Sequence, residues 1–65
     1  MLSREELVRR LAEVSHRTWM RHAHRDKGIP LEELSPDVAP HDLERAEETV
    51  RELERLGIVR FPERR

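Results

Sequence analysis

No glycine or proline occurs before Gly28. This absence constrains the chain more than any motif does, because those two residues end or kink helices. Within the uninterrupted stretch, Leu7, Val8, Leu11, Val14, Ser15, Thr18, Trp19, His22 and Ala23 recur at the i, i+3, i+4 spacing of one helix face. Ser3 and Glu6 have the spacing of a capping box, and Leu2 sits where a hydrophobic staple would place it. The pattern predicts one helix from about Arg4 to about His24, roughly 30 Å long. Arg21, His22, His24 and Arg25 crowd its C-terminal end, where positive charge suits the helix dipole, and Gly28 is its end signal.

The stretch GIPLEELSPDVAP carries three of the four prolines. It reads as an ordered connector. Pro30–Leu34 has the composition of one helical turn, and Ser35-Pro36-Asp37 resembles an N-cap followed by proline at the first helical position. Ile29, Leu31, Leu34 and Val38 supply side chains to lie on the core. A second helix is expected from Pro40–Asp42 to Leu56. Leu43, Ala46, Val50, Leu53 and Leu56 form its apolar stripe, with Thr49 at the border. Glu47 and Arg51 form a favourable i, i+4 pair, and Gly57-Ile58 predicts a Schellman ending. The tail IVRFPERR is expected to pack back across the first helix, with its last four residues frayed.

The resulting expectation is a single all-α domain over residues 1–65, ordered over about 3–61. Two long antiparallel helices are joined by a Pro-rich connector with short helical turns, and the C-terminal tail packs back on the core. A domain of this size buries only about 60% of its unfolded surface. Self-association is therefore expected, most simply as a two-fold dimer.

Composition narrows the function. The net charge of −1 lacks the basic excess of a dedicated phosphate-backbone binder. The chain has no cysteine, which fits a reducing compartment. It opens on charged residues where a signal peptide would be apolar, and no apolar run approaches the ~20 residues of a membrane span. A cytoplasmic location without membrane contact is expected.

EVSHRTWMRHAHR, Glu13 to Arg25, holds the only tryptophan and three of the four histidines. Trp19 is expected to anchor the core with Phe61, Leu53 and Ile29. A sharper and compatible reading has it wall a ligand pocket, with His16 one turn away. His22 and His24 diverge by about 200° on a helix and cannot share a metal. Only His41 could join His16 from a distance, short of the three or four ligands zinc needs. No nucleophile–base pair, glycine-rich phosphate loop or paired acids at a recognisable spacing is present, so neither an enzyme nor a cofactor is expected. A helix-turn-helix reading rests on the S-x-x-T of Ser15–Thr18 and on Arg17, Arg21 and Arg25. It is weakened because Ala12-Glu13-Val14 lacks a turn residue and the stripe runs through it in phase.

The residues also resemble a family. Val14-Ser15-His16-Arg17-Thr18-Trp19 is similar to the first-helix (Ile/Val)-His-x-x-Trp motif of the ryanodine-receptor (RyR) domain, a small helical module with single-copy bacterial and phage members, but with one residue, Ser15, between the apolar position and the histidine. PLEEL, Pro30–Leu34, looks like that family's connector element. Glu44-Arg45, Val50 and LERLGI, Leu53–Ile58, resemble its final helix, so the likeness runs from Glu6 to Val59. The longer Gly-Trp-x-Tyr-Gly segment of many members is missing. The resemblance implies sensing of a nucleotide-type signal, with His16, Trp19 and Arg45 as ligand-binding residues. Trp19 would stack on a base, and His16 and Arg45 would meet phosphate or sugar. An oligomeric scaffold module and, after it, a DNA-binding regulator are the alternatives.

Overall fold

The computed structural model describes residues 2–61; the expected fraying of the last four lies outside them. Helix α1 spans Arg4–Lys27, a 3₁₀ turn covers Leu31–Glu33, and helix α2 spans Pro40–Arg55. Arg4 bonds to Glu47 and Glu54, while Ser15 and His16 bond to Asp42, so the two helices run antiparallel. No strand occurs among the described residues.

Both helices start and stop for local reasons. The α1 capping box forms as the sequence predicts: Glu6 N–H donates to Ser3 Oγ (3.1 Å) and Ser3 N–H to Glu6 Oε1 (3.2 Å). The helix is one turn longer than expected. Nothing before Gly28 can break it, and Gly28 ends it with a left-handed φ of 71°. Ile29 N–H then caps Ala23 O (3.2 Å), and His24 Nδ1 donates to Ile29 O (2.9 Å). Helix α2 carries proline at its first position. Its N-cap, Ala39, has no side-chain acceptor, so the cap works in one direction only: Ala39 N–H donates to Asp42 Oδ2 (3.1 Å). At the far end Gly57, with φ 78°, closes the expected Schellman motif. Gly57 N–H reaches Glu54 O and Ile58 N–H reaches Leu53 O, both at 3.0 Å.

The connector departs from expectation in its second half. Ser35 caps no helix; its hydroxyl accepts from Asp37 N–H (3.2 Å) in a local turn. Pro40 pushes the residue before it out of helical backbone, and Ala39 is accordingly extended (φ −89°, ψ 158°). Too few residues then remain after Pro36 for a helical turn.

The core is small and built of small residues. Ala12, Ala23, Leu34, Ala46 and Val50 are its buried apolar side chains. Alanines at the contact let the two backbones approach closely. The expected stripes are rotated: Leu43 and Leu56 of α2 are exposed, and Asp42, Ala46 and Val50 hold the buried face. Trp19 is not the expected core anchor, since 40% of it is exposed. In the tail Val59 and Phe61 are half-buried and Ile58 is exposed.

The largest ion-pair cluster joins the helices where the chain begins. Arg4 Nη1 and Nη2 grip both oxygens of Glu47 (2.9 and 2.8 Å), while Nε and Nη2 reach Glu54 (both 3.1 Å). Glu47 also takes the predicted bond from Arg51 (3.2 Å). Arg4 holds the Glu47 carboxyl below the usual carboxylate range.

Candidate functional site: a groove beside a buried ion pair

Two depressions meet at Trp19. The larger, about 500 Å³, is an open groove between the helices, with Leu11, Val14, Thr18 and Trp19 from α1 and Arg45, Ala46 and Thr49 from α2. The smaller, about 320 Å³, lies between the helices and the connector and is bordered by His16, Trp19, Glu33, Asp37 and His41. Trp19 faces both. Of the three residues implied by the family resemblance, Trp19 and Arg45 share the groove. His16 lies behind Trp19, on the connector side.

His16 is 5% exposed, and both of its ring nitrogens are engaged inside the fold. Nδ1 lies 2.9 Å from Asp42 Oδ2, and Nε2 lies 2.7 Å from the Ser35 carbonyl oxygen. The partners assign the protons. A carbonyl oxygen can only accept, so Nε2 carries a hydrogen. Asp42 is also an acceptor throughout. Its Oδ2 receives Ala39 N–H, and its Oδ1 receives the Ser15 hydroxyl (2.9 Å), whose own oxygen already accepts from Arg45 Nη1 (2.9 Å). The bonds to Asp42 hold its carboxyl below the usual carboxylate range, so the hydrogen shared between Nδ1 and Oδ2 sits on the ring. The arrangement is a buried imidazolium–carboxylate pair in which both ring nitrogens and both carboxylate oxygens have partners. No buried side-chain nitrogen or oxygen among the described residues lacks a partner.

The electrostatics agree. The Ser35 carbonyl, then the Asp42 carboxylate, raises the His16 imidazole above its ordinary value. Burial works against the charge on Asp42, but the bonds from His16, Ala39 and Ser15 outweigh it and hold the carboxyl below the usual range.

The groove is apolar with one basic edge. Arg45 is exposed, and its bonded side-chain partner is a neutral hydroxyl, so its charge is free to meet an anion. The exposed indole of Trp19 offers a flat apolar surface. Its other side stacks against His16, with ring centroids 5.6 Å apart and planes 23° off parallel. His22 also lines the groove and pairs with Asp26 (2.7 Å). No group of three or more metal-ligating side chains converges among the described residues. Nor is any helix among them long and apolar enough to cross a membrane.

Sequence reasoning missed Asp42 and Ser15. Asp42 read only as a residue near the start of the second helix; the one available signal was its place two residues after Pro40, where a carboxylate can cap a helix that begins with proline. Arg4 gave no signal at all, since its partners lie more than forty residues away. Compared with protein-family models, with curated proteins and with solved structures, the chain matches none.

Proposed function

We propose that this chain is a small non-enzymatic binding module whose groove takes a nucleotide-type ligand. The observation that carries the reading is the pairing of Trp19 and Arg45 across one apolar groove of about 500 Å³, a size common for small-molecule sites. A flat ring system stacks on the indole, and an anionic group meets the guanidinium. The resemblance to the RyR domain points to the same two side chains. His16 serves from behind as support for Trp19, because its ring nitrogens are already engaged. A cysteine-free chain suits the cytoplasm, where such signals circulate.

The test is a thermal-shift panel of mono-, di- and cyclic nucleotides on the pure protein. At least one raises the melting temperature by mass action and changes Trp19 fluorescence. A flat response across the panel removes the reading.

One observation favours a second reading, that the groove is covered by another copy of the chain. Five buried apolar side chains make a thin core, and Val14, Leu43, Leu56 and Ile58 remain exposed. Light scattering across a concentration series decides it: a dimer whose dissociation follows Val14→Glu supports this reading, and a strict monomer refutes it.

A further inference from the structure

The buried ion pair and the groove form one connected unit. Asp42 reaches Arg45 through the Ser15 hydroxyl, and it reaches Trp19 through the His16 ring. Both residues assigned to the ligand therefore depend on the same carboxylate. The His16 ring is also the polar link between the helices and the connector at Ser35.

We propose that the proton on His16 Nε2 regulates this groove: while it is present the connector is clamped to the helices and Trp19 and Arg45 are set for binding, and when it leaves the clamp opens. The regulation rests on the ligand reading given above. The chemistry is a single proton loss to solvent. Nδ1 keeps its hydrogen because a carboxylate faces it. Nε2 loses its hydrogen and turns a lone pair toward the lone pairs of the Ser35 oxygen, 2.7 Å away. Two acceptors at that distance repel, so Ser35 moves off, and the indole loses the cation stacked beneath it.

Charged groups on every neighbouring element face this ring. From α2 come Asp42 and His41, whose Nε2 is 3.9 Å from Asp42 Oδ1. From the connector, Glu33 and Asp37 border the same depression. From α1, Glu13 and Arg17 lie on its other flank. Arg45 acts through Ser15. The acidic groups predominate and favour the cation, with Arg17 and Arg45 opposing.

The test uses the full chain with His22→Gln and His41→Gln, which removes the two other histidines that share depressions with Trp19. His16 ring ¹⁵N shifts, Trp19 emission, exchange of the Leu34 amide and far-UV helical signal are followed from about pH 5 to 9, across the histidine range. The expected result is a His16 ring that stays doubly protonated to higher pH than a free imidazole, then one step. At that step Trp19 emission rises and Leu34 exchanges faster, while the helical signal stays constant. A ring that loses its second proton below the ordinary imidazole value of 6.5, or a Trp19 signal flat through the step, overturns the proposal. So does loss of helix at the same midpoint, since that marks a structural pair and not a local clamp. Adenosine 5′-monophosphate is then titrated on both sides of the step. Binding at least tenfold tighter below it supports the regulation, and equal affinity on both sides overturns it. No binding on either side counts against the ligand reading alone, because the measurements on the free protein still decide the clamp.

Discussion

The two sides of Trp19 are built on opposite plans. On the connector side a charged pair is buried, and each of its polar atoms is matched to a partner. On the groove side the walls are apolar and open, and the one guanidinium at the edge is bonded to a neutral hydroxyl. Polar groups that are fully matched inside a fold specify structure. Polar groups left unmatched at an open surface are available to something else. A chain with a thin core has separated the two tasks by the thickness of one indole ring.

The sharpest way to break this contrast is to remove Asp42. Asp42→Ala leaves His16 charged or desolvated without its counterion and frees the Ala39 amide. Losing one partner of a buried pair costs about 3–5 kcal/mol, a large share of the stability of any small domain, and thermal or urea unfolding measures it. An alanine at an exposed groove-side residue such as Thr49 should cost far less.

pH tests the connector side without mutation. His16 is raised when folded, so its contribution is complete below the ordinary imidazole value of 6.5 and is lost as pH climbs through the folded value. Asp42 and Glu47 are lowered, so theirs are complete above the ordinary values of 3.8 and 4.5 and are lost as pH falls through the folded ones. Stability should be flat between pH 4.5 and 6.5 and decline on both sides, as urea midpoints across pH will show.

Smaller effects sharpen the comparison. Ala12 is fully buried at the contact between helices, so Ala12→Leu wedges them apart at a cost of about 1–3 kcal/mol, read by thermal melting. Trp19→Ala should cost only about 1–2 kcal/mol, because the indole is partly in water, yet it should abolish any nucleotide-induced thermal shift. The smallest loss is expected from Arg4→Ala. Its cluster is half-exposed, so the fall in melting temperature should shrink as salt is added.

How much of this was legible in the sequence depended on range. The caps at Ser3 and Gly57 and the start of α1 are decided by neighbours within a few residues and could be read directly, while α1 runs to Lys27, one turn past the expected end. The face each helix buries is decided by what it meets. Leu43 and Leu56 looked like core and are exposed, because the buried face of α2 turns toward Asp42, which an apolar pattern discounts. Trp19 looked like the anchor for the same reason: size and hydrophobicity predict burial only where there is enough partner to bury against. The candidate residues were nameable, Trp19 from the pattern itself and Arg45 through a family likeness, but their common groove, and the Ser15–Asp42 link behind it, are properties of the packed pair of helices.

The raised affinity of His16 for its second proton also alters what the chain is in solution. Counting histidines as neutral gives a formal charge of −1 and an isoelectric point near 6.4. Because the fold raises His16, the native chain keeps that positive charge to higher pH than the unfolded chain does, and the native isoelectric point moves upward. The folded protein should then migrate more slowly toward the anode than its unfolded chain. It should also be least soluble at a pH above the 6.4 of the sequence, where self-repulsion between copies is weakest.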